Sequence, residues 1–144
     1  MKKRFLTAFI VSSIIFSAAS VMADDDEKNS HFDIKIKNYK NARFEKYNFS
    51  GMNLQGFNFE NADLDKANFT GANLAGANFK DADAEKAIFD RANLEGANFE
   101  NADLEEASLL NANIKNTNFK NTELEYAVWK DGKVCGAGSV GSCW

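Results

Sequence analysis

The chain of 144 residues has no proline, one histidine and two cysteines. Without proline there is no polyproline segment and no proline-rich linker to divide it. The length suits one domain better than two. A single histidine, His31, gives little scope for acid–base or nucleophilic catalysis and no imidazole pair for a zinc site. What is present is biased: phenylalanine dominates the aromatics, 13 against three tyrosines and two tryptophans, and Asn and Ala recur at fixed intervals. Such a bias calls for a repeat search before any helix or strand is assigned.

The N-terminus is set apart first. Lys2, Lys3 and Arg4 precede an apolar run from Phe5 to Ala19, and Val21-Met22-Ala23 leads into acidic Asp24-Asp25-Asp26-Glu27. This is the pattern of a secretory signal peptide, residues 1–23, with cleavage expected after Ala23 and no stable membrane anchor left behind. The segment holds three basic and no acidic residues, so its removal moves the net charge from −4 to −7. An acidic product is a poor direct ligand for nucleic acid, whose binding rests on Lys and Arg against phosphate. A periplasmic or secreted location follows.

In an exported chain the close pair Cys135 and Cys143 is expected to form a disulfide. The metal reading would need further ligands, and no histidine lies near. Closing so short a loop contributes roughly 2.5 kcal/mol on a chain-entropy estimate.

From Ala42 to Lys130 the sequence keeps a register of five. Ala62-Asp63-Leu64, Ala67-Asn68-Phe69, Ala72-Asn73-Leu74 and Ala92-Asn93-Leu94 show the unit: a small residue, Asn or Asp, a large apolar residue, then two polar or glycine positions. The large positions run from Phe44 to Trp129, and only Ala84 among them is small. Five residues advance a helix by about 140° past a full turn, which would wind the large side chains around it. In a flat strand an odd period would send them to alternate faces. A coil with flat sides, turning once per unit, brings them to one interior.

The alternation of Leu and Phe through the middle rules out three sides. The position two after each large residue is Gly56, Gly76 and Gly96 on one track but Lys46, Lys66 and Lys86 ten residues away. The true period is therefore twenty, or four sides per coil.

The A-(D/N)-(L/F)-x-x pattern over residues 42–131 resembles the pentapeptide-repeat family. That resemblance implies an all-β fold, a right-handed quadrilateral parallel β-helix of about four and a half coils. It also implies that each Leu/Phe, and the Ala two before it, points inward and the Asn/Asp between them outward. The tail from Trp129 to Cys143 looks like that of exported bacterial members. The expected organisation is a signal peptide (1–23), an acidic linker and capping strand (24–41), the β-helix (42–131) and a disulfide-closed cap (132–144). Phe32-Asp33-Ile34-Lys35-Ile36-Lys37 alternates as a lead-in strand, Trp129 plugs the far end, and Ala84 predicts a gap or kink in its column.

Sorting the outward positions by side gives two surfaces. Asp63, Asp83, Asp103 and Glu123, with Asp65, Glu85, Glu105 and Glu125, form an acidic face beside Lys46, Lys66 and Lys86. It is read as a solvated wall, with a basic partner or weak Ca²⁺ binding as the sharper possibilities. On the next side Ile88, Leu110 and Val128 break the polar rule and Tyr126 stands at the corner, a candidate interface with another protein or a second copy in a homodimer. Glu60, Lys80, Glu100 and Lys120 read as a self-neutralising ladder. The Asn columns are expected to hydrogen-bond the turns. The repeat itself generates the glycosylation-like triplets Asn48-Phe49-Ser50 and Asn68-Phe69-Thr70.

No cofactor, metal or catalytic constellation is expected, since a filled rod offers no cleft. The leading expectation is a non-catalytic protein-binding or scaffold protein outside the cytoplasm. The alternative, implied by the quinolone-resistance members of the family, is a DNA-mimicking binder of a topoisomerase such as DNA gyrase. The signal peptide and the disulfide tail argue against it.

Overall fold

The computed structural model describes residues 32–144. The signal-peptide segment, His31 and Asp24 to Glu27 lie outside them. From Asn38 onward the chain repeats one device. The residue before each large position bridges its equivalent twenty residues on, always in parallel. A tight turn follows at each corner. Four ladders result, one per side.

The first side is Asn38, Asn58, Asn78, Asn98 and Asn118; the second is Arg43, Asp63, Asp83, Asp103 and Glu123. The third is Asn48, Asn68, Ile88, Ser108 and Val128, and the fourth Asn53, Asn73, Asn93 and Asn113. The twenty-residue period is thus the period of the ladder. Each rung is a single bridging residue between turns rather than an extended strand.

The turns explain the polar pair that closes each unit. The N–H of the residue three beyond each large position donates to its carbonyl, as Ala67 to Leu64 at 2.9 Å and Ala72 to Phe69 at 3.0 Å. The third turn residue takes positive φ at every corner from Asn41 to Tyr126. A type II turn demands this and favours Gly or Asn there. Gly56, Gly76 and Gly96 meet it on one corner, Asn41, Asn61, Asp81, Asn101 and Asn121 on another.

The alternation of Leu and Phe has a packing cause. Phe columns on the first and third sides face each other across the core: Phe79 stacks on Phe59 at 5.2 Å and on Phe99 at 4.6 Å, and meets Phe69 edge-on at 5.8 Å and 85°. Leu54, Leu74 and Leu94 fill the fourth side, Leu64 and Leu104 the second, all fully buried. Each contributes about 1.5–3 kcal/mol, and it does so only when the neighbouring coils are in place.

Three expectations are corrected. Phe32–Lys37 is not a strand: Ile36 N–H donates to Asp33 O at 2.9 Å and closes a turn at Ile34–Lys35, leaving Ile34 and Ile36 about half exposed. Phe32 instead folds over the end of the core, 5.2 Å from Tyr39 and 5.0 Å from Phe49. The repeat frame also starts one unit earlier than Ala42, because Tyr39 is buried as the first large residue and Asn38 bridges Asn58. The kink anticipated at Ala84 is not there. Ala84 N–H donates to Asp103 O at 2.9 Å, and the bridges run through Asp83 without a break.

At the far end the tail turns back along two sides. Val140 pairs antiparallel with Glu123, and Val134 with Val128. Leu124 N–H donates to Ser139 O and Trp129 N–H to Lys133 O. Cys135 and Cys143 are joined, with Cα atoms 4.8 Å apart and Cys135 buried. Trp129 is half-buried with its ring 5.2 Å from Phe119.

Candidate functional surface

Two sides satisfy themselves. On the first, each Asn amide donates to the Asn one coil above, from Asn58 to Asn38 at 2.9 Å down to Asn118 to Asn98 at 2.8 Å. The fourth side repeats this between Asn73 and Asn53 and onward to Asn113. The same Asn oxygens accept a backbone N–H two residues on, as Asn98 does from Glu100. The Asn columns therefore brace the turns, as expected, and also zip adjacent coils together.

The second side forgoes the zipper. Asp63, Asp83 and Asp103 still accept the N–H two residues on, at 3.4, 3.3 and 2.8 Å. Ionised carboxylates cannot donate to one another, so like charges stack at the coil spacing of about 4.8 Å. Burial first, then Asp103 and Asp63, push the Asp83 carboxyl above its ordinary range. Glu105 is raised by desolvation, and by Asp103, Glu125, Glu85 and Glu106.

The corner that follows is equally unlike the others. Six positive-φ residues are neither Gly, Asn nor Asp: Lys46, Lys66, Lys86, Arg91, Glu106 and Tyr126. All but Arg91 stand on this one corner. Each such residue costs roughly 1–2 kcal/mol in the left-handed region. Lysines occupy its upper half, where Lys46 pairs with Glu45 and Lys66 with Asp65, each at 2.5 Å. Lys86 pairs with Glu85 and, at 3.4 Å, with Glu106. Below Lys86 the corner carries Glu106 and Tyr126, so Asp103, Glu105, Glu106, Glu123 and Glu125 concentrate the negative charge there. Tyr126, half exposed, stands next to Glu125, whose carboxylate raises its phenol.

The structure brings the remaining predicted residues to the third side. Ile88 and Leu110 are exposed there, 38% and 36%, and Val128 is half-buried below them. Val134, 58% exposed, extends this column through its pairing with Val128; the repeat could not reveal it because it lies in the tail. The charge ladder of the first side is only partial. Lys40 pairs with Glu60 at 2.8 Å and Lys120 with Glu100 at 3.2 Å, while Lys80 makes no ion pair among the described residues. No group of three or more His, Cys, Asp or Glu among the described residues is arranged to hold a metal ion, so the calcium expectation finds no cage.

Comparison with known proteins agrees with this architecture. The profile described as "Pentapeptide repeat region" matches residues 30–99, and "Pentapeptide repeats (8 copies)" matches 87–125. A pentapeptide repeat protein of the Arabidopsis thaliana thylakoid lumen is similar at 28% identity, over 74% of this chain and 79% of its own, with a TM-score of 0.65. One from the cyanobacterium Cyanothece 51142 is 32% identical over 62% of this chain and 65% of its own, with a TM-score of 0.39. A plasmid-mediated fluoroquinolone resistance protein, QnrB1, is 21% identical over 62% of this chain and 59% of its own, with a TM-score of 0.33, too slight a likeness to carry an argument. Comparison with curated proteins gave no match. With its period, its ladders and both profiles in accord, the chain belongs to the pentapeptide-repeat family, whose fold is the right-handed quadrilateral β-helix.

Proposed function

We propose that this chain is an exported, non-catalytic protein-binding rod whose second side, with the corner after it, recognises a partner carrying basic side chains. One observation carries this reading. The second side gives up the amide zipper that the first and fourth sides use, and its corner holds long side chains where glycine would be unstrained. Both departures cost stability and both fall on the same strip. Strain and stacked carboxylates kept together at a surface, with pairing from Arg43, Lys66 and Lys86 only at their flanks, mark a contact site rather than a packing need. The packed Phe and Leu core leaves the chemistry to the outer walls.

Export is supported by the signal-like N-terminus and the Cys135–Cys143 bond, and by the lumenal location of the thylakoid relative.

The test uses the triple variant Asp63→Asn, Asp83→Asn, Asp103→Asn. It should fold at least as stably as the parent, yet fail to retain the proteins that the parent cross-links in the exported fraction. Equal capture by both forms would remove the second side from the binding surface.

A further inference from the structure

The third side carries a pattern that makes sense only against a copy of itself. Its last three coils present three outward columns. The bridging column reads Ile88, Ser108, Val128. The column after the large residues reads Asp90, Leu110, Lys130, and the corner reads Arg91, Asn111, Asp131. The rungs are tied by Arg91 N–H to Leu110 O and by Asn111 N–H to Lys130 O, each at 2.9 Å.

Laying this wall on a second copy turned end for end about the Ser108–Leu110 rung brings every column onto itself in reverse order. Ile88 then meets Val128, and Leu110 meets its own copy. Asp90 meets Lys130, Arg91 meets Asp131, and Asn111 faces Asn111 across an amide pair. Rungs are equally spaced at about 4.8 Å, so all these meetings occur in one register.

The charges themselves support the pairing. Lysines on the corner of the second side are tied to neighbouring carboxylates within the chain. Among the described residues Asp90, Arg91, Lys130 and Asp131 make no ion pair; Asp90 accepts from Ser108 Oγ at 2.5 Å and Asp131 from Lys133 N–H at 3.1 Å. The other two-fold arrangement, with rods parallel, would set Ile88 against Asp90 and Arg91 toward Lys86, joining apolar to charged and like to like. In the antiparallel one the single like-charged meeting, Glu106 with its copy, lies at the far corner, where Lys86 stands 3.4 Å from Glu106.

We infer that the third side is the contact of an antiparallel two-fold dimer of this chain, centred on Ser108 and Leu110. Its isologous pairing closes the assembly at two copies. The wall is narrow and covers less than the standard interface of about 800 Å² per partner, so the dimer depends on concentration. The wall of the second side stays open in this dimer, and only the corner it shares with the third side, at Glu106, lies at the edge of the contact.

Sedimentation velocity over a concentration series of the purified, disulfide-bonded protein tests it. The parent should pass from monomer to dimer, and Leu110→Glu should weaken the association by at least about tenfold. Asp90→Lys and Lys130→Asp chains should each remain monomeric, because each repels its own copy. Mixed in equal amounts, they should pair, since both cross-contacts regain opposite charge. A parent that stays monomeric at every concentration, or a mixture no more associated than its components, would overturn the dimer. Association that survives Leu110→Glu would do the same by placing the contact elsewhere.

Discussion

Asn98 donates its side-chain amide to Asn78 Oδ1 at 3.1 Å, one coil above, whereas Asp103 has only another carboxylate, Asp83, above it. Five residues along the chain separate a zipper from a stack of like charges. The expected consequence is that Asp83→Asn stabilises the fold. It gives Asp63 a donor and removes a repulsion, worth about 1 kcal/mol. The pH dependence has a definite sign. A carboxyl raised in the folded state, as Asp83 is, favours folding below its unfolded pKa and loses that contribution as pH rises through the folded one. The gain from Asp83→Asn should therefore be greatest at neutral pH and shrink as the ordinary carboxylate range is entered. Chemical denaturation of both forms across that range measures it.

Lys66 holds φ at +57° on an open corner, and Gly76 holds +65° with nothing within 4 Å of where a Cβ would stand. Lys66→Gly is expected to raise stability by about 0.5 kcal/mol, strain relief exceeding the entropy cost of glycine. Gly76→Val should lower it by at least about 1 kcal/mol although the site is empty, because the penalty lies in the backbone. Thermal unfolding of the two variants separates conformation from contact.

Phe79 lies between Phe59 and Phe99 in one column and meets Phe69 and Phe89 edge-on. Phe79→Ala should cost about 3–5 kcal/mol. Because coils stabilise only their neighbours, the loss should appear as early hydrogen exchange in the two adjoining coils before global unfolding.

Cys135 and Cys143 hold the tail against the end of the second and third sides. Replacing both with Ser should cost about 2–3 kcal/mol. It also loosens the bonds from Leu124 to Ser139 and from Trp129 to Lys133, which cover the strand edge there. Aggregation on heating should then begin at a lower temperature than in the parent, as light scattering would show.

The repeat was legible in the sequence because every unit pays the same geometric toll: a large residue inward, a turn, a polar residue at positive φ. Four sides could be read from Gly56 against Lys46 because the corners differ in what they tolerate. The ends were harder. Lys37 stands where a small residue was expected, so the unit around Tyr39 escaped the frame. Ile34 and Ile36 alternate like a strand, yet the unfilled end of the core takes Phe32 and the chain turns to deliver it. Tyr47, Met52 and Phe57 replace alanine in the first coil for the same reason, packing with Phe32 against the core. The Asn zipper went unseen because spacing along the chain says nothing of the distance between amides twenty residues apart. Val134 joined the third side only through antiparallel pairing of the tail.

The equivalence of the large positions has a consequence for how such a rod can change length. A whole coil of twenty residues can be duplicated or lost and every surface column stays on its wall. A single unit of five is different. Its loss leaves each large side chain pointing inward, so the core scarcely registers it, but everything below is rotated by a quarter turn. The carboxylates beyond the deletion would then continue a wall of asparagines. Selection for a continuous surface would thus count in twenties, while selection for folding alone would be content with fives.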